Sequence, residues 1–342
     1  MAYIEINTIN YQHNINFLAK KAGGIDKLMV VLKDNAYGHD LKIMAHLAAS
    51  FGVKKSAVKN LKEAEQIISL FEEILILVDH PPLQRVAKNI SFAVHSLEGL
   101  KKFPNKSAVH VNIDTGMHRN GIQEEELEEA IVIIKENNLI LKGFFTHFKN
   151  ADEVGTEQFW QESNFISASA RAKELILKHQ LPMPAFHSCN SASLLRRKEI
   201  LQDDYARCGI STYGYSHLDK SFGVFDLKPV LSLWAERLSS RNLKKGDRVG
   251  YGGLYELETD GVVSTYDIGY GDGFFRYNGR GHLVLDSGME ILGRVSMDSF
   301  AMAGEAKSVC LFKDAHSIAS YFNTITYDVM TKLSPSIKKV IV

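Results

Sequence analysis

Through the first two-thirds of the chain, short apolar runs alternate with longer amphipathic stretches. The runs are Met29–Leu32, Ser56–Val58, Ile74–Val78, Ile90–Val94, Ala108–Ile113, Leu141–Phe145, Ala185–His187 and Tyr205–Ile210. The first, third and fifth are rich in β-branched residues, as strands buried on both faces are. Segments with helical periodicity lie between them, among them Glu124–Asn137 and Glu157–His179. Strand–helix alternation predicts parallel pairing through right-handed crossovers. Eight runs in this length predict a TIM (β/α)8 barrel, whose usual size is roughly 250 residues. An open doubly wound sheet fits the periodicity almost as well.

The texture changes after about Leu227. Leu231–Arg237, Asp247–Tyr251, Gly261–Ile268, His282–Asp286, Glu290–Val295 and Ser308–Phe312 are short, often alternating, and punctuated by Gly, Asp and Asn. A helix is expected again only near Asp314–Phe322. The pattern predicts an α/β barrel over residues 1–224 and a second, mainly β domain over 225–342.

Composition narrows the class of partner. The 342 residues carry 40 Lys+Arg against 40 Asp+Glu, with no basic tail or stripe, so no nucleic-acid partner is expected. The longest aliphatic runs, such as Ile74–Val78, are too short for a bilayer, and the N-terminus lacks the pattern of a secretory signal. Three cysteines without C-x-x-C spacing argue against a disulfide framework or a zinc site and for a reducing, cytoplasmic setting. His39, His46 and His147 lack ligand spacing, so no metal is expected.

In a TIM barrel the chemistry sits where the strands end. Lys33 ends the first run, Asp114 the fifth, His147 the sixth and Asn190-Ser191 the seventh, while Arg207 lies in the eighth just before Gly209. Each alone reads as a solvated or turn-capping residue; together they predict a polar rim. A lysine at the mouth of an apolar strand can be held neutral by desolvation or neighbouring cations. A neutral amine is what condenses with an aldehyde cofactor. No G-x-x-x-x-G-K-[ST] occurs, which excludes a nucleotide P-loop.

VLKDNAYGHD resembles the cofactor-lysine signature of the alanine racemases, fold-type III pyridoxal phosphate enzymes. VNIDTGMHRNGI, FFTHFKNADE, HSCNSASLLR, RCGISTYGYS, LKPVLSLWAERL, VGYGGLY, IGYGDGFFR and LGRVSMDSF follow in the family's order, from Ile4 to about Tyr327. The resemblance implies that Lys33 holds pyridoxal 5'-phosphate as a Schiff base and moves protons on one face of the substrate. It implies that Tyr251 is the base on the other face. Racemisation needs a base on each side of the carbon. A free phenol titrates near about 10, and the family assists it through a histidine and an arginine, which match His147 and Arg207. An arginine is never an acceptor, so at the pyridine nitrogen it weakens the electron sink and favours return of a proton to the same carbon.

The same resemblance assigns the phosphate to Tyr37, Ser191, Gly209 and Ile210, with His187 and Asn190 in support. It sets Arg119 beside the cofactor and the substrate carboxylate, and gives Met297, Asp298 and Tyr270 to substrate binding. Arg276 and Arg294 match residues of the approach corridor. It also implies a head-to-tail homodimer in which the β-domain residues reach the partner's barrel.

Two positions depart from the family. A lysine that is often carbamylated is replaced by Asn112, whose amide is expected to steady Arg119, with or without a bound anion. A phosphate-contacting tyrosine near the C-terminus is replaced by Pro335, with Ser334 and Ser336 alongside. The implied activity is interconversion of L- and D-alanine for peptidoglycan. A serine or broad-specificity racemase and a non-catalytic cofactor carrier are the alternatives. The related decarboxylases carry a cysteine motif in the second domain that Cys310 does not reproduce.

Overall fold

A computed structural model describes residues 1–80 and 86–342. The chain forms two compact units. One comprises Gln12–Ala36 and Leu41–Lys228; the other Met1–Tyr11, Tyr37–Asp40 and Pro229–Val342.

The first unit is the barrel. Its strands are Leu28–Val31, Lys55–Val58, Glu73–Ile76, Ile90–Val94, Ala108–Asn112, Ile140–Phe145, Ala185–His187 and Ala206–Cys208. All eight expected runs are strands, and the first seven pair in parallel in succession. The first pairs with the eighth, so the ring is open only between the seventh and eighth. Two backbone hydrogen bonds cross that gap, from Asp204 N–H to Phe186 O at 3.0 Å and from Arg207 N–H to Cys189 O at 2.9 Å. Two carboxylates stitch the same seam: Asp204 Oδ2 accepts the Phe186 N–H at 2.7 Å, and Asp203 Oδ2 accepts the Ser188 hydroxyl at 2.7 Å. Near-complete closure explains the apolar runs: Leu28, Met29, Val30, Ile74, Leu75 and Val109 are all fully buried. The chain leaving the barrel is tied down by buried Asn14, which accepts the Lys228 N–H and donates to Lys228 O and Thr212 O.

The second unit is mainly β. Leu231–Leu243 is its spine, pairing with Tyr3–Ile6, Gly261–Tyr266 and Ser308–Phe312. The register shifts between Arg237 and Ser239, a bulge that bends the strand. Phe300–Ala303 and Ile291–Leu292 extend the sheet at one side and Lys338–Ile341 at the other. The helices Ala315–Tyr321 and Thr326–Thr331 complete it.

Two findings differ from the sequence expectation. Residues 1–11 group with the C-terminal unit rather than the barrel, because Tyr3–Ile6 lies between Leu231–Leu243 and Lys338–Ile341. The barrel ring already has its eight strands without it. His282–Asp286 is not a strand: only a bridge from Val284 to Glu290 forms, as the chain reverses with Gly288 at φ 78.

Candidate active site

The rim of the barrel is built from strand ends. Lys33, half-buried, follows the first strand. The five residues after it, Asp34 to Gly38, have φ of 54, 55, 52, 54 and 84°. This is a turn of left-handed helix in which four residues are not glycine. Such a conformation costs L-residues about 1–2 kcal/mol each, and concentrated strain of this kind is a mark of functional sites.

His147 follows the sixth strand. Burial pushes its pKa down to about 3, and the charges of Arg207, Arg119 and Lys33 push in the same direction. Arg119, Thr146 and His147 line one cavity, Arg207 donates to Thr146 O, and Lys33 follows the strand paired with that of Arg207, so Lys33, Arg119, His147 and Arg207 share one rim. A histidine held neutral among cations is a hydrogen-bond acceptor at any pH near neutrality.

Arg207 is buried in the eighth strand. Its Nη1 donates to His187 Nδ1 at 2.6 Å and to His187 O at 2.7 Å; its Nη2 donates to Thr146 O at 2.5 Å and to Ser188 O at 3.3 Å. The chain of contacts continues into the barrel. His187 Nε2 meets His110 Nδ1 at 3.0 Å, and His110 Nε2 meets Glu73 Oε1 at 2.8 Å. Since Arg207 can only donate, His187 Nδ1 is the acceptor and Nε2 carries the proton. The same logic makes His110 Nδ1 an acceptor and Nε2–H the donor to the carboxylate. Both tautomers are thereby fixed, and a single direction runs from guanidinium to carboxylate. Burial and the neighbouring Arg207 and His110 hold His187 well below its ordinary pKa. Burial would raise the Glu73 carboxyl, but His110, Lys55 and Lys142 outweigh it and bring the pKa below the usual value. Gly143 makes room for the relay: a Cβ there would lie 2.3 Å from His110 Nδ1.

Across the rim, Asn190 caps the helix Ser191–Arg196, accepting the Ser193 N–H through Oδ1 at 2.9 Å. Its Oδ1 is thus committed to the loop. Buried Ser191 Oγ accepts the Gly209 N–H at 3.1 Å and lies 3.5 Å from the Ser211 nitrogen. Ile210 opens the 3-10 turn Ile210–Tyr213, where the first amides have no partner inside the turn. A hydroxyl and main-chain N–H groups gathered at one point are the donor set a phosphate requires, so this corner fits the phosphate end of pyridoxal phosphate. The lysine, the buried arginine and the neutral histidine fit the remainder of it.

Arg119 is exposed on the loop after the fifth strand, where Asp114 Oδ1 accepts the Gly116 and His118 N–H groups. The expectation for Asn112 is corrected here. Its Nδ2 donates to Asn120 O at 3.0 Å and to His95 Nδ1 at 3.3 Å, and no Arg119 donor reaches its Oδ1, the atom that could accept one. That Oδ1 is buried without a partner. Asn112, Arg119, Asn120, Thr146 and His147 line a cavity of about 10 Å³, room for roughly one water molecule. The unpaired Asn112 acceptor suits a donor such as water.

The remaining expected residues belong to the second unit. Tyr37 packs its ring against Tyr327 with centroids 5.7 Å apart. Gly38 is fixed by close approach as well as by φ, since a Cβ would lie 2.1 Å from Met330 O. The GYGDG loop lies on the VSMDS turn: Tyr270 N–H donates to Ser296 O at 3.1 Å and Gly271 N–H to Met297 O at 2.8 Å. Tyr270, Met297 and Asp298 are thereby brought together. The position matching the family's tyrosine, Pro335, follows Ser334, whose N–H donates to Asp272 O at 2.9 Å; Ser334 and Ser336 pair with each other through their hydroxyls. Tyr251 is 71% exposed, Met297 55% and Tyr270 38%. Arg276 lies over the Tyr270 ring at 5.8 Å.

Sequence reading missed Glu73, His110 and Glu63, the last of which accepts the Asn35 N–H. Only the unusual glycine at Gly143 within a strand hinted at a close approach.

A (β/α)8 barrel with a rim lysine, a neutral buried histidine, a buried arginine and an anion corner, followed by a β domain, defines a class of cofactor-dependent enzymes. Residues 6–217 match the alanine racemase N-terminal domain and 230–341 the alanine racemase C-terminal domain. The chain belongs to the alanine racemase family. It is 45% identical to the alanine racemase of Campylobacter curvus, covering 99% of both chains. It is 44% identical to that of Campylobacter jejuni strain 81-176 over the full length of each. The crystal structure of alanine racemase from Bacillus anthracis with bound L-Ala-P is 28% identical, covers 100% of this chain and 95% of that one, and superposes with a TM-score of 0.87.

Proposed function

We propose that this protein racemises alanine with pyridoxal 5'-phosphate, using Lys33 on one face of the substrate and the partner subunit's Tyr251 on the other. The observation that carries the reading is that Arg119, Thr146 and His147 line one cavity while Arg207 donates to Thr146 O from the strand paired with the one that leads to Lys33. Pyridoxal phosphate, when bound, supplies an aldehyde for amine condensation and a ring that acidifies the α-hydrogen. Lys33 Nζ would hold it covalently, and Ser191, Gly209, Ile210 and Tyr37 would take its phosphate, with Asn190 shaping that loop. Arg207 would present to the ring a permanent cation that offers no acceptor, which would favour reprotonation at the original carbon. Neutral His147 can accept a hydrogen bond from a phenol and pass its charge change toward Arg207, easing proton transfer at the Tyr251 oxygen. Arg119 and the Met297 main chain, with Asp298 and Tyr270 beside it, are assigned to the substrate carboxylate.

Exposure of Tyr251, Tyr270 and Met297 in the single chain supports a head-to-tail homodimer that covers them. No helix among the described residues is long and apolar enough to cross a membrane, and we assign the protein to the cytoplasm, supplying D-alanine for peptidoglycan. The test is to incubate the purified protein with L-alanine, L-serine and L-lysine, following optical rotation, and to trap the cofactor with borohydride. Loss of rotation with alanine and a label on Lys33 are expected. A bound cofactor with no racemisation of any substrate would contradict the reading, and faster loss with serine would reassign the substrate.

A further inference from the structure

We propose that Glu63 is a positioning residue for Lys33, acting by clamping the left-handed turn that follows it. This rests on Lys33 being the cofactor lysine. Asp34, Asn35 and Ala36 hold φ of 54, 55 and 52°, a conformation that a chain of L-residues leaves unless its surroundings enforce it. The enforcing contacts come from the exit of the neighbouring second strand. Glu63 Oε1 accepts the Asn35 N–H at 3.0 Å, and Glu63 Oε2 accepts the Lys59 N–H at 2.8 Å. The carboxylate thus bridges the main chains that leave two adjacent strands.

Glu63 is itself fixed, because its N–H is capped by Asn60 Oδ1 at 3.0 Å at the start of the helix Leu61–Gln66. One further link spans the same gap, and another braces the turn from within its own connection. Lys59 Nζ pairs with Asp34 Oδ1 at 2.7 Å, and Asn35 Oδ1 accepts the Leu41 N–H at 2.9 Å. The ion pair is solvent-exposed and contributes little. The bridge needs a carboxylate: both oxygens receive main-chain donors, and glutamine would turn an N–H₂ toward one of them. Lys33 is only two residues from the clamped Asn35 amide. Release of the turn lets the lysine backbone rotate away from the rim.

The experiment measures covalent capture of Lys33 rather than turnover. Wild type, Glu63→Gln and the double variant Glu63→Gln/Ala36→Gly are incubated with pyridoxal phosphate and cyanoborohydride, and Lys33 labelling is timed by peptide mapping. Glu63→Gln should label at least about tenfold more slowly, the loss of a hydrogen bond to a charged group. Glycine takes the left-handed conformation without penalty, so Ala36→Gly should restore much of the rate. A role confined to stability of the Leu61–Gln66 helix predicts no such rescue. Wild-type-like labelling in Glu63→Gln, or a defect that Ala36→Gly leaves untouched, overturns the inference. Absence of a Lys33 label in wild type overturns the cofactor reading itself and the inference with it. If Glu63→Gln does not fold, amide exchange in the wild-type protein decides: Asn35 and Lys59 should exchange as slowly as strand amides, and rapid exchange of Asn35 overturns the clamp.

Discussion

Arg207 and Glu73 are joined by two histidines. The guanidinium donates to His187, His187 to His110, and His110 to the Glu73 carboxylate. A buried cation is costly unless its hydrogen bonds are satisfied and its charge is offset. Here the nearest carboxylate in the hydrogen-bonded chain lies three links away, so the offset is transmitted through imidazoles whose tautomers it fixes. The guanidinium is then free to serve as a rigid cation at the rim.

His110→Phe removes the acceptor for His187 Nε2–H and leaves a buried donor unpaired. The expected loss is about 1–3 kcal/mol of unfolding free energy, read from urea titrations. Glu73→Gln in that background should add little, whereas alone it should be destabilising. Fully additive losses would argue against a coupled relay.

The pH dependence of stability has a fixed sign. His147 and His187 have folded pKa values below their unfolded ones, near about 3 for His147 and well down for His187. Above about pH 6.5 they are neutral in both states and contribute no slope. As pH falls below that, the unfolded chain takes up protons that the folded one refuses, so stability declines. Glu73, with its lowered folded value, adds a loss at more acid pH, as the pH falls through that value. Urea midpoints should therefore drop steadily from pH 7 to pH 5, and less steeply in His147→Gln. A flat profile in that range would contradict the assignment of buried neutral histidines.

Gly269→Ala tests the assembly of the substrate loop. Gly269 has φ −144°, which any residue adopts, so the effect is purely steric. A Cβ would lie 2.0 Å from Met297 O. The GYGDG loop must move off the VSMDS turn, displacing Tyr270 and Met297 together. The expected result is a raised alanine KM with borohydride trapping at Lys33 unchanged. Loss of trapping would place the loop's influence elsewhere.

Much of this architecture could be read from the chain. The eight barrel strands stand out because a closed parallel sheet buries both faces and demands continuous apolar runs. The rim residues stand out because each polar side chain interrupts such a run at its end. What escaped has physical reasons too. Tyr3–Ile6 is four residues long and finds its partners at Leu231–Leu243 and Lys338–Ile341, too remote for local pattern to reveal. His110 sits among valines as a strand residue, and its partner His187 comes from another strand. Glu63 looks like one more charge on a helix surface in LKEAEQ. The left-handed turn is hidden as well, since Ala36 and Tyr37 are not residues that announce positive φ. For Asn112 the sequence shows an amide but not its surroundings: Nδ2 turns to the acceptors Asn120 O and His95 Nδ1, and Oδ1 is left without a partner.

The most direct test of the two-base account mixes two inactive proteins. On that account Lys33→Ala lacks the cofactor lysine and Tyr251→Ala lacks the opposing base. If each site joins Lys33 of one subunit to Tyr251 of its partner, a hybrid dimer contains one site with both bases. Random exchange between equal amounts should then restore about a quarter of wild-type activity, since half the dimers are hybrid and each has one working site of two. No recovery of racemisation, with hybrid formation verified by mass, would contradict the shared site.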